Sequence, residues 1–311
     1  MIHRGFQSML KGFIFISLTL LFAVNCTPKK IASDITAQIM RSGAPAFEME
    51  SDVEIAQDAG LTMIKMIEAF QYDNPANKNL NTLLARSYAN YAQGFLEYQL
   101  LINKGINEEE YQKYLLRTKT FYDRGKQYGL RALKTNGSFK SALTKDLDTF
   151  VKSLKGFGRS AVPQLFWTAL SWGSLVNLSK DSPLAIAEFP KVEAIMQRVL
   201  ELDEHYFYSS PHLFFGYSFG SRPKLFGGDP EKSKTHFETA ITAYNRKFLM
   251  GMVYYAEVYA VQTQNLGLFE TLLNEVLAAD VAALPEARLA NELAQRKARW
   301  LIANKEKFFD I

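Results

Sequence analysis

The chain has 311 residues, a hydrophobic content of 48% and a formal charge of +4, from 36 Lys and Arg against 32 Asp and Glu. That is apolar enough for a sizeable core, and too nearly neutral for the electrostatic footprint of a nucleic-acid binder. A single cysteine, Cys26, excludes an intramolecular disulfide in any compartment.

In chain order, Arg4 and Lys11 precede an apolar run from Gly12 to Val24, followed by Asn25-Cys26. A positive start, an apolar segment too short for a comfortable membrane span and a cysteine directly behind it read as a secretory signal over residues 1–25. Cys26 is then the lipid-attachment residue; a lone buried thiol is the alternative. Losing Arg4 and Lys11 with the signal leaves +4 − 2 = +2 on the mature side chains. Residues 26–47, with Lys29 and Lys30, read as a solvated tether behind the lipid, and residues 48–311 as a helical-repeat domain held to the membrane through the lipid alone.

From Asp52 to Phe70 the apolar residues Val53, Ile55, Ala56, Ala59, Met63, Ile64, Met66 and Ile67 recur at helical spacing. Asn74-Pro75, Ser182-Pro183, Ser210-Pro211 and Asp229-Pro230 each place a capping side chain before a proline, where the missing N–H costs a helix nothing. Leu80–Asn103 and Glu108–Lys134 read as a long antiparallel pair, Ala142–Lys155 as a shorter helix, Val162–Leu178 and Pro183–Leu202 as the next pair. Ser233–Tyr244, Leu266–Ala279 and a terminal helix Pro285–Lys307 follow. No segment alternates convincingly with period two, so the chain is expected to be all-α.

One pattern recurs along these helices. Phe215-Gly216-Phe219 and Tyr255-Ala256-Tyr259 are large, small, then large three residues later, and Leu84-Ala85-Tyr88 and Trp172-Gly173-Val176 are further copies. The three positions share one helix face, and the small residue lets a neighbouring helix come close. With a second helix behind each trio, the expectation is a set of antiparallel hairpins, degenerate tetratricopeptide-like repeats with insertions, stacked into a compact curved solenoid.

Reactive constellations are lacking. His205, His212 and His236 are the histidines outside the signal, none forms a metal-binding pair with an acidic partner, and no phosphate loop follows a strand. His212 falls near a packing face, as a satisfied core histidine does, and Glu108-Glu109-Glu110 sit where they complement a helix dipole. The reading is of a protein that is not an enzyme, with no cofactor and no metal. The aromatics say more. At about 100° per residue, Trp167, Phe214, Tyr217 and Tyr254 project away from the trios' common face. These rings therefore either pack against the next hairpin or another subunit, or line a ligand cavity on the inner side of the stack.

The run Phe214-Phe215-Gly216-Tyr217, then Ser221-Arg222-Pro223-Lys224-Leu225-Phe226-Gly227-Gly228-Asp229-Pro230-Glu231-Lys232, with Phe237-Glu238, Ala240 and Val253-Tyr254-Tyr255-Ala256 beyond, resembles the T component of tripartite ATP-independent periplasmic (TRAP) transporters. The resemblance covers most of the mature chain and is most specific over Arg222 to Asp229. It implies an all-α periplasmic lipoprotein of cryptic tetratricopeptide-like hairpins, forming a homotrimer, with a cavity in each subunit communicating with a central pore. Such a subunit docks a solute-binding P subunit that hands ligand to membrane permease subunits.

Within that loop, Gly227-Gly228 supplies backbone freedom, Asp229 caps the next helix and Pro223 stiffens the approach. Arg222, flanked by Tyr217, Phe219 and Phe226, either bonds carbonyls at the preceding helix end or anchors an acidic ligand group. Two functions follow: an accessory subunit that docks a P subunit and holds a small hydrophobic or carboxylate ligand, or an envelope scaffold that only holds other proteins together.

Overall fold

The computed structural model describes residues 28–310; the signal segment and Cys26, with the lipid attachment expected there, lie outside the described residues. Among the described residues there is no strand. The helices are α1 Pro28–Glu48, α2 Val53–Asp73, α3 Lys78–Tyr91, α4 Glu97–Asn103, α5 Glu108–Leu133, α6 Gly137–Ala142, α7 Leu147–Leu154, α8 Val162–Asn177 and α9 Pro183–Leu202. Then come α10 Tyr206–Gly220, α11 Pro230–Ala243, α12 Leu249–Tyr254, α13 Leu266–Ala278 and α14 Arg288–Ala303.

The N-terminal boundary differs from the sequence reading. Pro28–Glu48 is a helix and not a solvated tether, because it has an inner face: Ser33 and Ala37 are buried, and Ser33 Oγ donates to the Phe70 carbonyl. Capping explains most other starts. Asp52 accepts from the amides of Glu54 and Ile55, Ser182 from Ala185 and Asp229 from Lys232. Asn74 is a correction: it closes α2, and Asn77 is the residue that caps α3 by accepting from Leu80. The helix expected over Ala142–Lys155 begins only at Leu147, capped by Asp146, and Ala142 is the last residue of a separate short helix before it.

Two interruptions have no counterpart in the sequence reading. The helix expected over Leu80–Asn103 passes through a π-turn at Ala92–Leu96, and Tyr255–Ala260 is a second π-turn following α12. At Ser210-Pro211 the expected cap is not formed: the Ser210 hydroxyl donates to the Phe207 carbonyl, and the chain arrives through Phe207, Tyr208 and Ser209 with φ of 45°, 60° and 56°. Left-handed backbone at three successive non-glycine residues is costly and persists only where its surroundings over-determine it.

The chain is all-helical as expected, and its helices pack pairwise. α3 lies against α5, α5 against α8, α8 against α9, and α10 against α11, while α12 and α13 both pack on α14. In the trios, Leu84, Ala85 and Tyr88 are fully buried, and Trp172 and Phe215 nearly so. The small members sit at crossings: a Cβ on Gly216 would lie 3.0 Å from the Phe237 ring of α11, and one on Gly173 2.9 Å from the Phe214 ring. On α5, Gly125 and Gly129 play the same part against Ser171 and Thr168 of α8. One feature goes beyond a stack of hairpins. The last long helix, α14, reaches back to α1 and α2, so the two ends of the helical stack touch.

The α10–α11 hairpin also holds the histidines. His212 is buried, its Nδ1 3.0 Å from Nδ1 of His236 and its Nε2 3.3 Å from Glu204, while the His236 ring stacks on Phe215 and Phe219. Burial, then the neighbouring His212 and Lys232, push His236 down to about 4 from 6.5.

Two outcomes are expected. Gly216→Leu forces a side chain against Phe237 and lowers stability by roughly 1–3 kcal/mol in thermal or denaturant melts, as overpacking does. For His236 both states are neutral above about pH 6.5; on acidification the unfolded chain binds a proton first, so the melting temperature falls between pH 6.5 and about 4 and levels below. A melt series across that window checks this, and His236→Gln flattens the slope.

Candidate functional site: a cavity inside the helical stack

The helices surround a cavity of about 970 Å³, at the upper end of what a small-molecule site occupies. Side chains from both ends of the chain contribute, from Met40 and Phe47 of α1 to Leu293 and Lys297 of α14. Most of the wall is apolar, with Met63, Ile67, Leu83, Phe166 and Leu170 among it. Three polar groupings interrupt it.

The first is Arg86 on α3, paired with Glu48 and lying over the rings of Trp167 and Phe207, 5.6 and 5.5 Å from their centroids. Burial draws its guanidinium below the ordinary value, and the hydroxyls of Tyr206 and Tyr208 oppose that. The left-handed turn serves this end of the cavity by setting Phe207 and Tyr208 into the wall. Tyr208 is pinned there, its hydroxyl donating to the Glu286 carbonyl at 2.7 Å and its ring stacked 4.6 Å from Phe248.

The second grouping is central. Glu97 follows the first π-turn and Glu257 lies in the second; Lys297 Nζ is 2.6 Å from Glu257 and 5.2 Å from the Tyr254 ring centroid. Tyr217 and Tyr254 meet edge to face at 6.0 Å. Burial raises Glu97 above the usual carboxylate range, opposed by Lys297 and by the Tyr122 hydroxyl that donates to it at 2.6 Å.

The third grouping marks an opening. Lys104, Lys180 and Phe226 line the cavity and are also exposed, with Arg222 beside them. Desolvation, then the charges of Lys104 and Arg222, lower the Lys180 pKa. Arg222 Nε donates to the Ser218 carbonyl at 2.9 Å and its guanidinium to Glu193 at 2.8 Å, 4.8 Å above the Phe189 ring. It thus braces the end of α10 and faces the cavity at once. Gly228 is required by contact, since a Cβ there would collide with the Arg222 carbonyl, and Gly227 turns with φ of 83°.

Of the residues singled out from sequence, Phe214, Tyr217, Arg222 and Tyr254 all come together on the cavity wall. Trp167 stands behind it. It is 1% exposed, donates from Nε1 to the Tyr206 hydroxyl at 3.1 Å, and is covered by Phe166 and Phe207. The charged residues Arg86, Glu97, Lys180, Glu257 and Lys297 were not anticipated. Glu257 carried a signal, being a carboxylate inside the apolar run Tyr255-Ala256-Glu257-Val258. Among the described residues no set of His, Cys, Asp and Glu side chains is grouped to hold a metal ion, and no helix is long and apolar enough to cross a membrane.

Fold and cavity define a class, a hollow all-helical protein of hairpins closed around a ligand-sized space. Residues 49–309 match the model of the TRAP transporter T-component family, and the chain belongs to that family. It is also similar to an uncharacterized protein of Treponema pallidum (strain Nichols), 26% identical over 268 residues that make up 85% of this chain and 82% of that one. The family is one of transporter accessory components and is consistent with an extracytoplasmic location.

The packing separates two kinds of aromatic. Trp167→Ala is expected to cost about 3–5 kcal/mol in melts, the loss of a filled core position, whereas Phe214→Ala and Tyr254→Ala, which face open space, cost clearly less. Equal losses at all three would show the space to be closed in solution.

Proposed function

We propose that the protein is a periplasmic accessory subunit of a TRAP transporter, anchored by a lipid on Cys26 and working as a homotrimer. In this role it docks the solute-binding P subunit and holds a small ligand in its cavity. The observation that carries the reading is the cavity itself, in which Phe214, Tyr217, Tyr254 and Arg222 share a wall. A scaffold that only tethers other proteins has no use for a cavity of about 970 Å³ between its helices, because the walls facing it forfeit packing contacts.

Ligand chemistry follows from the lining. The apolar wall suits a hydrophobic body, and Lys104, Lys180 and Arg222 at the opening suit a carboxylate. The same opening supports docking. Leu225 is 87% exposed and Phe226 68%, on a loop whose backbone is fixed by Gly228 and by the amide of Asp229 donating to the Phe219 carbonyl. Exposed apolar side chains on a braced loop are what a partner surface covers.

Affinity capture of the acylated full-length protein from its native envelope, read by mass spectrometry, is expected to recover a P subunit together with a small molecule. Capture with Phe226→Asp should lose the P subunit. Recovery of neither partner nor ligand by the native protein would overturn the reading.

A further inference from the structure

The opening of the cavity is cationic but its centre is the reverse. Glu97 and Glu257 both face the space, and among the described residues Lys297 is the cation that meets them, bound to Glu257 at 2.6 Å. The nearby Arg296 is turned away, donating to the Gly94 carbonyl at 3.0 Å, with its guanidinium 4.3 Å from the Tyr98 ring. Two carboxylates against one ammonium leave a buried site one positive charge short, and an uncompensated charge away from water is costly.

The surroundings are those of a cation site. The rings of Tyr217 and Tyr254 stand edge to face on the cavity wall beside the carboxylates, and Lys297 already lies over one of them. Electron-rich faces next to carboxylates attract amines and quaternary ammonium groups. The positions are held from behind: Tyr122 donates to Glu97, and Ser174, Asn177 and Gln93 stand beside the hydroxyls of Tyr122, Tyr217 and Tyr254. Both carboxylates are delivered by π-turns, which are rare in helices and collect at functional sites.

We propose that the centre of the cavity, formed by Glu97, Glu257, Lys297, Tyr217 and Tyr254, is a subsite for a positively charged nitrogen, a protonated amine or quaternary ammonium, carried on an apolar body. The inference rests on the ligand-cavity reading above and specifies the end of the ligand that reaches deepest. Without such a ligand Glu97 is the group that takes up a proton, since burial raises its pKa. Binding of the cation then displaces that proton, so affinity for amines rises with pH while affinity for an uncharged analogue does not.

The test is displacement of the neutral fluorescent probe N-phenyl-1-naphthylamine from the full-length protein by dodecylamine and dodecanol. At pH 8 dodecylamine should displace it about tenfold more tightly than dodecanol, the value of a buried charge-assisted contact. Glu97→Gln should bring that ratio close to one. The groups facing Glu97 are Tyr122 on α5, Tyr217 on α10, Tyr254 on α12, Glu257 in the second π-turn and Lys297 on α14. Glu97 should titrate above 4.5, so in the wild-type protein the amine-to-alcohol ratio should shrink as the pH is lowered from 8 to 4.5, whether or not the variant folds. A flat ratio over that range overturns the inference and leaves the cavity reading standing. Failure of the wild-type protein to bind the probe at all overturns the cavity reading, and this inference with it.

Discussion

Holding about 970 Å³ open inside a helical protein forfeits the dispersion contacts that would otherwise fill it, so the walls must be locked to one another more firmly than an ordinary core requires. The close crossings supply that lock. Gly125 and Gly129 bring α5 against α8, Gly173 admits the Phe214 ring, and Gly216 admits Phe237. Gly125, Gly129 and Gly216 shorten the distance between helix axes away from the cavity lining, while Gly173 does so at the wall itself, where Phe214 also stands. Contact of α14 with α1 and α2 completes the enclosure, since an open stack would let the inner faces collapse or flood.

The hairpin register was legible because its signals are local. A small residue between two large ones identifies a crossing whatever lies on the far side, and a capping side chain before proline marks a start, as at Ser182-Pro183 and Asp229-Pro230. Tertiary closure has no such local signature. Nothing in Pro28–Glu48 announces that Ala37 is buried until α2 and α3 are in place, which is why a helix there reads as a tether. The cavity was half legible. A phase calculation at 100° per residue separates the faces of α10 but not what each face meets, so Phe214 and Tyr217 on the wall and Trp167 behind it were given the same direction.

The π-turns limited the reading further. An inserted residue advances the helical phase by about 100°, so a pattern carried through Ala92–Leu96 or Tyr255–Ala260 is wrong on the far side. Glu97 and Glu257 lie past or within those insertions, and a uniform helix gives no reason to direct Glu97 at the interior, whereas Glu257 is marked only by the apolar run around it. The freed backbone has its own partner at the first turn, where the Gly94 carbonyl accepts from Arg296. The irregularity is thus bonded in place, as a feature that positions a buried carboxylate has to be.

The left-handed turn at Phe207, Tyr208 and Ser209 obeys the same logic at the other end of the cavity. Backbone of this kind costs of order 1–3 kcal/mol per residue, against a total stability of about 5–15 kcal/mol for a typical domain. Such a turn survives only if the rings it carries are held by more than their own helix, and they are: Phe207 by Trp167 and Arg86, Tyr208 by Phe248 and the Glu286 carbonyl. Those partners come from α3, α8 and the segments flanking α12 and α14, which are brought together only when the stack has closed. The strained turn is therefore held by side chains and backbone from four separate segments of the chain, and it fixes the shape of this wall.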